Sequence, residues 1–391
     1  MNMKKVILKK NCDKKAKRGY LWIFSNQVDK VESNPENGDI VEIFNSNNQF
    51  IGKGFYNKNS LISLRLLTYT DEEINKNFLT NKILTADNLR QKLYNDNIYR
   101  MVYSESDLLP GLIIDRFDNV FSIQINSIGM EKLLPLITEI LIENFSPECI
   151  IEKNESPLRS LEGLELKTSI LYGEYKSKEL IIDGIKYNID LLSGQKSGFF
   201  LDQRINRLNI KKYVKGLKVL DCFCNQGGFA LNAAIAGAKE VIGIDISKTA
   251  IEKCKINSAI NGFEKICRFE VADVFDYLQQ LIDENNYFDV VIIDPPSFTK
   301  SKKNIPTAKQ AYKKVNYLGL QLIKNEGYLI TSSCSHHIDE NTFLDIIDES
   351  AIKAKSHIKL LEFHSASPDH PILLNMPETK YLKFAILYVK K

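Results

Sequence analysis

Alternating apolar and polar residues over 39–44, 50–55 and 61–67 predict short antiparallel strands in the first 75 residues. Gly38, Gly52, Gly54 and Asn57-Lys58-Asn59 punctuate them, which suggests a small β-barrel or sheet. Residues 76–192 mix two periods. Helical spacing over 72–94 and 131–144 surrounds strand-like runs at 112–115 and 120–126, which turn at Asp118-Asn119. Gly163 and Gly173 break the stretch 156–175, and 187–192 reads as another strand. From about residue 193 the pattern becomes a regular alternation of strand and helix. Strands are expected at 218–222, 240–245, 266–271, 288–293 and 328–333. Helices are expected over 227–236, from a Ser247 cap to a left-handed stop at Asn261-Gly262, and from near Ile338. Such alternation predicts an α/β fold with a parallel sheet covered by helices on both faces.

Composition narrows the class. The 391 residues are 44% apolar and 26% charged, ordinary for a globular protein. At roughly 150 residues per domain, two or three domains are expected. No run reaches the roughly 18 continuous apolar residues of a membrane span. The longest candidate, 133–142, carries Glu139 and reads as a buried helix. The basic start lacks a long apolar segment, so no signal peptide and a cytoplasmic location are expected. Seven cysteines without C-x-x-C argue for reduced thiols, and Cys222 and Cys224 are too close for the usual zinc pair, so no metal is expected. The charge is uneven. Residues 1–20 hold eight Lys or Arg against Asp13 alone, a local charge of +7 in a chain of net +3. A basic arm that includes Lys14, Lys15, Lys17 and Arg18 suits a polyanion, although solvated lysines alone give the same count.

The chemistry is concentrated after residue 200. In Val219-Leu-Asp-Cys-Phe-Cys-Asn-Gln-Gly-Gly-Phe229 a strand runs through a glycine turn into a helix. It is neither G-x-G-x-x-G nor a G-K-[ST] phosphate loop. Asp221 at the strand end would repel a pyrophosphate and suit an ammonium. Asp245 ends the next strand, where a carboxylate can accept from both hydroxyls of a ribose. Asp273, in Ala-Asp-Val-Phe, can accept from an adenine amine, and Asp294 ends the fourth strand in Asp294-Pro-Pro-Ser-Phe298. Each acid alone is an ordinary strand-end residue. The ordered set matches S-adenosylmethionine better than a nicotinamide cofactor.

The Asp-Pro-Pro-x-Phe segment suits a flat nucleobase or an amino nitrogen and does not choose between them. Thr331-Ser-Ser-Cys334-Ser-His-His337 adds a thiol at the end of the fifth strand. A pyrimidine carbon takes a methyl group only after a thiolate adds to the neighbouring carbon. A helix N-terminus, His336 or His337 can favour that thiolate. A lone cysteine is more often a small buried residue. Its placement after Asp294 favours the nucleophile. Cys12, Cys149, Cys254 and Cys267 fall in or beside apolar runs or helix faces, Cys222 and Cys224 flank the glycine loop, and Ser297 carries no thiol.

Trp22-Ile-Phe, Glu105-Ser-Asp-Leu-Leu-Pro-Gly-Leu-Ile-Ile-Asp115, Gly198-Phe-Phe-Leu-Asp-Gln-Arg204, the glycine loop, Asp294-Pro-Pro-Ser-Phe298, Ser333-Cys-Ser335 and Asp369-His-Pro371 occur in one order along the chain. In that order the sequence resembles the RlmI family of bacterial large-subunit ribosomal RNA (cytosine-C5) methyltransferases. The resemblance implies a PUA-like domain over 1–75, a central α/β domain with a β-hairpin over 76–192, and a Rossmann-like methyltransferase domain over 193–391. It implies S-adenosylmethionine, held by Gln203, Asp221, Cys222, Asn225, Gly227, Gly228, Phe229, Asp245, Ile246, Asp273, Val274 and Asp294. It implies Cys334 as nucleophile, with Asp294 on the base. Cys224-Asn-Gln226 and His336-His337 depart from common relatives. Ribosomal RNA is the expected partner, and a homodimer is a candidate assembly. A guanine-nitrogen RNA methyltransferase, needing no thiolate, and a non-catalytic RNA-binding module are the competing readings.

Overall fold

The computed structural model describes residues 4–192, 199–299 and 301–391, without the side chains of Lys178 and Lys302. Gly198 of the motif ending at Arg204 lies outside them. The chain forms two compact units. One comprises Met1–Ser177, Asp190–Leu201 and Pro368–Thr379, the other Lys178–Ile189, Asp202–Ser367 and Lys380–Lys391. Among the described residues no helix is long and apolar enough to cross a membrane.

The first unit contains two sheets. The early alternating runs form a six-stranded sheet in the order Trp22–Ile23, Leu64–Thr68, Phe50–Tyr56, Ile40–Phe44, Lys5–Leu8, Val28–Glu32. Val6, Leu8, Leu21, Val41, Ile43, Leu64 and Leu66 supply its core. Gly54 is forced by the pairing: a Cβ there would lie 2.2 Å from the Arg65 carbonyl oxygen. The second sheet has five strands, in the order Lys167–Gly173, Cys149–Asn154, Val120–Ile125, Leu112–Phe117, Ile98–Tyr103. The turn at Asp118 is left-handed, with φ +55°. The helix expected from 72 starts at Lys76, because the Asn75 side chain accepts from Phe78 N and caps it. The helix expected from 131 starts at Ile128 and runs to Phe145.

Asp369-His-Pro371 proves to be a pin within this unit. Asp369 is fully buried and accepts from Arg100 N (2.9 Å), Tyr94 Oη (3.3 Å) and His370 Nδ1 (2.9 Å). Its carbonyl accepts from buried Arg90, which also grips Asp107 at 2.6 and 2.8 Å. Burial opposes ionisation, yet His370 and Arg100 hold the Asp369 carboxyl below the usual carboxylate range.

The second unit is the alternating region. Its seven strands are β1 (Lys218–Cys222), β2 (Glu240–Asp245), β3 (Cys267–Val271), β4 (Phe288–Ile293), β5 (Ile323–Ser333), β6 (His357–His364) and β7 (Lys383–Lys390), in sheet order 3-2-1-4-5-7-6. The first five are parallel and β7 runs antiparallel between β5 and β6. β1 and β4 are almost wholly buried, as a sheet covered on both faces requires. A short helix, Arg204–Asn209, precedes β1, and the longer helices are α1 (Gly228–Ile235), α2 (Lys248–Ile260), α3 (Val274–Asp283), α4 (Ile305–Leu322) and α5 (Glu340–Lys353). Ser247 caps α2 through Ala250 N, and Gly262 rather than Asn261 takes the left-handed conformation.

Further sequence expectations shift in this unit. The helix expected near Ile338 begins at Glu340, because Asp339 accepts from Thr342 N and caps it there. The strand expected over 187–192 is Ile185–Ile189, and the chain turns where Leu191 N donates to Tyr175 Oη. That strand pairs with Lys178–Ile182 as a hairpin. The hairpin groups with the seven-stranded sheet, since Asn188 N and Lys186 N donate to Asn257 and Asn261 at the end of α2.

Replacing Asp369 by Ala should strand buried donors at Arg100 and His370. The expected loss is about 3 kcal/mol. It should appear as a lower urea midpoint, and an unchanged midpoint would show the pin to be dispensable.

Candidate active site

Parallel strands that stop at one level deliver their following residues to one edge of a sheet. Asp221 pairs in register with Gly243 and Ile292, and Asp245 with Val271, so the acids gather at that edge.

Asp221 is fully buried. Its Oδ2 accepts from Ala230 N at 2.9 Å, at the start of α1, while Oδ1 has no hydrogen-bond partner among the described residues. Burial above all, with Asp294 and Asp245 nearby, pushes its carboxyl up to about 8; Ala230 N–H and Arg207 pull the other way. An unpaired buried carboxylate oxygen of this kind fits a cationic ligand group. The glycine loop beside it carries three left-handed residues, Phe223 (φ +62°), Asn225 (φ +48°) and Gly227 (φ +83°). Two of them are not glycine, which costs on the order of 1–3 kcal/mol each. Asn225 N donates to Asp245 Oδ2 at 3.0 Å, which fixes the loop to β2. Gly228 is required by a neighbour: a Cβ would lie 2.5 Å from Nε of buried Arg207.

Asp245 accepts Asn225 N through one oxygen and Ser247 N through the other. Each oxygen keeps a second acceptor position for a ribose hydroxyl. Ile246 beside it is 71% exposed, an apolar surface open to a flat ring. Asp273 caps α3 by accepting from Phe275 N and Asp276 N through Oδ1, and remains exposed. Three residues expected at the cofactor turn their side chains elsewhere. Cys222 and Val274 are buried in one apolar core, and Phe229 stacks on Phe384 in the other, with centroids 5.9 Å apart. Burial raises the Cys222 thiol well above its usual range. The reason is periodicity: alternate strand residues and the inner face of a helix must fill the core.

Asp294 accepts Gln203 Nε2 at 2.9 Å and also the Ser332 hydroxyl. Burial first, then Asp202, pushes its carboxyl up to about 6, against the hydrogen bonds and Arg207. The loop after it meets the end of β5. Cys334 Sγ lies 3.9 Å from the Pro295 carbonyl oxygen, and Ser297 Oγ lies 2.8 Å from Ser335 Oγ. Tyr312 Oη, from α4, is 2.9 Å from the same Ser335 hydroxyl. Phe298 anchors the loop against Tyr312 (4.7 Å), Phe275 (6.2 Å) and Phe223 (6.3 Å). Cys334, half-buried, therefore sits beside the Asp294 loop.

Arg207, Asp202, Ser332, Tyr381 and Lys383 were not expected here. Arg207 balances Asp221, Asp294 and Asp202 electrostatically. Tyr381 donates to Asp202, and Lys383 Nζ donates to the carbonyls of Ser335 and Tyr381. Asp202 and Ser332 lie inside motifs read for other residues, Arg207 comes from the short helix Arg204–Asn209, and pairing of β7 with β5 brings in Lys383. In the first unit, Lys14, Lys15, Lys17 and Arg18 are exposed around a single turn, Ala16–Arg18, with Lys17 paired to Asp13 at 2.6 Å.

Known proteins match this chain in sequence and in fold. The family model of a PUA-like domain matches residues 6–69, and that of a methyltransferase domain matches 214–369. Over 99% of this chain the fold superposes on a solved chain described as a methyltransferase complexed with SAH (TM-score 0.85, 21% identity, 100% of that chain). A chain described as a SAM-dependent methyltransferase from Streptococcus mutans gives TM-score 0.83 at 22% identity, over 99% of this chain and 100% of that one. A curated relative, the ribosomal RNA large subunit methyltransferase I of Vibrio parahaemolyticus, is 39% identical over 97% of both chains. The sequence, and not the fold alone, thus places this chain in the ribosomal RNA large subunit methyltransferase I family.

Proposed function

We propose that this chain methylates carbon 5 of a cytosine in large-subunit ribosomal RNA, through a covalent bond between Cys334 and the base. Family membership makes it an S-adenosylmethionine-dependent methyltransferase of that RNA. The observation that carries the finer reading is the meeting of Cys334 with the Asp294 loop, Sγ 3.9 Å from the Pro295 carbonyl.

When bound, S-adenosylmethionine supplies an electrophilic methyl on a sulfonium. Asp221 Oδ1 would hold its ammonium, Asp245 its ribose, and Ile246 with Asp273 its adenine. The protein's part is to make carbon 5 nucleophilic. The Cys334 thiolate forms a bond to ring carbon 6, and the ring electron pair shifts onto N3, which takes a proton from Asp294. That electron pair returns through carbon 4 as carbon 5 takes the methyl, the methyl–sulfur bond breaking with its pair on sulfur. Transfer of the carbon-5 proton to water re-forms the double bond between carbons 5 and 6, expels the thiolate and lets N3 return its proton to Asp294. A carboxyl near 6 holds and releases a proton readily at neutral pH. A paired target base must first be extruded, costing a few kcal/mol. The exposed Lys14, Lys15, Lys17 and Arg18 supply phosphate contacts.

Asp221, near 8 in the cofactor-free protein, is largely protonated at pH 7. An ammonium ligand stabilises the carboxylate, so binding should release a proton. Affinity should then rise as pH increases from about 6 to 7.5, by up to about tenfold per unit. Calorimetry in buffers of different ionisation enthalpy measures the release, and Asp221→Asn should lose it. Equal release by both proteins would reject the assignment.

Cys334→Ala should abolish methylation while leaving cofactor affinity unchanged. Wild-type protein should form a denaturant-stable adduct with RNA carrying 5-fluorocytidine, because fluorine blocks the final proton loss. Peptide mapping should place the adduct on Cys334. Robust methylation by Cys334→Ala would move a guanine nitrogen to first place.

Changing Lys14, Lys15 and Arg18 to Gln should weaken RNA binding. It should also flatten the plot of log affinity against log salt by about 0.7 per lost phosphate contact on single strands. An unchanged slope would make these side chains solvated surface only.

A further inference from the structure

We propose that the buried ammonium of Lys383 holds Cys334 in its thiolate form, as a positioning residue for the attack on the base. The proposal deepens the covalent reading above and rests on Cys334 as nucleophile.

Lys383 is the first residue of β7, and its Cα lies opposite Ser333 in the antiparallel register with β5. Cys334 follows Ser333. Only 3% of Lys383 is exposed. Its Nζ donates to the Ser335 carbonyl at 2.7 Å and to the Tyr381 carbonyl at 2.6 Å. An ammonium has three donors, so these neutral partners leave one N–H uncommitted. A buried ammonium needs an opposite charge. The nearby carboxylates are engaged elsewhere: Asp339 caps α5 through Thr342 N, and Glu340 pairs with Lys380 at 2.6 Å. Cys334 is the first of the groups whose charge attracts Lys383, ahead of Asp339 and Glu340, while Lys380 repels it. Burial pulls Lys383 down to about 8, and the attraction to Cys334 works against that. From α4, Tyr312 also faces Cys334, but burial raises its phenol, so it carries no competing charge at neutral pH. His336 packs on Tyr381, ring centroids 5.3 Å apart.

The arrangement is reciprocal. A thiolate stabilises the ammonium, and the ammonium stabilises the thiolate. A cation beside a cysteine lowers the thiol pKa from about 8.5 toward 3.5–7.5. The two carbonyl bonds fix the ammonium on the chain segment that carries Cys334, so the charge stays in place as sulfur approaches the ring. A merely structural lysine would tie Tyr381 to Ser335 without altering the thiol.

The test is the pH dependence of Cys334 alkylation by iodoacetamide in the full-length protein, read by peptide mass spectrometry. The wild-type midpoint should lie below that of an ordinary thiol. Lys383→Met should raise it by more than one pH unit and slow alkylation at pH 7 about tenfold, with cofactor affinity retained. Lys383→Arg should keep the low midpoint. A folded Lys383→Met with the wild-type midpoint would overturn the proposal. If that variant fails to fold, the wild type alone decides: a midpoint at or above about 8.5 would also overturn it. The covalent reading fails separately. Methylation surviving in Cys334→Ala would remove the nucleophile while a lysine-dependent midpoint kept the ion pair. Trapping on 5-fluorocytidine RNA with an unshifted Lys383→Met midpoint would remove only the ion pair.

Discussion

A carboxylate carried into a protein interior must lose its charge or find a counter-charge, because dehydrating an ion costs several kcal/mol. Asp221 meets this condition at the centre of the sheet. Its Oδ2 uses Ala230 N, its Oδ1 finds no partner among the described residues, and Asp294 and Asp245 add their own repulsion. Much of the site follows. Arg207 is buried because the acids need a cation, and residue 228 is glycine because Arg207 occupies the space of a side chain there. The Asn225 backbone takes a left-handed turn with its N–H on Asp245. The result is a sheet edge crowded with acids, where a ligand ammonium would let Asp221 ionise.

The reactive half rests on a different constraint, the meeting of two loops. β4 and β5 are neighbours, so the residues after Ile293 and after Ser333 emerge side by side. Prolines stiffen the first loop and Phe298 pins it among aromatic rings. Serine hydroxyls then join the loops, Ser332 to Asp294 and Ser297 to Ser335. β7, inserted antiparallel beside β5, brings Lys383 to the same place.

The sequence was most legible where one residue type can do one thing. Strands 218–222, 240–245 and 288–293 were read to the residue, because each is built mainly on a run of buried apolar residues. Ser247 was readable as a cap from its side chain alone. The acids of the site were readable because they end strands, which every parallel sheet directs toward its ligand edge. Side-chain direction was less legible. Cys222, Phe229 and Val274 lie in the segments the motifs single out but their side chains fill the core, since a motif specifies a stretch of backbone and packing decides which side chains turn inward. Lys383 and Arg207 were invisible, because what matters about them is a partner far away along the chain. Asp369-His-Pro371 was visible as a pattern, and its part as a structural pin emerged only from its buried partners.

The most direct test of the account is the chemical identity of the product. Large-subunit ribosomal RNA lacking the modification would be incubated with the purified protein and methyl-labelled S-adenosylmethionine, digested to nucleosides and resolved by mass spectrometry. The account predicts that the label co-elutes with 5-methylcytidine. Label in a methylguanosine, with none in 5-methylcytidine, would contradict it.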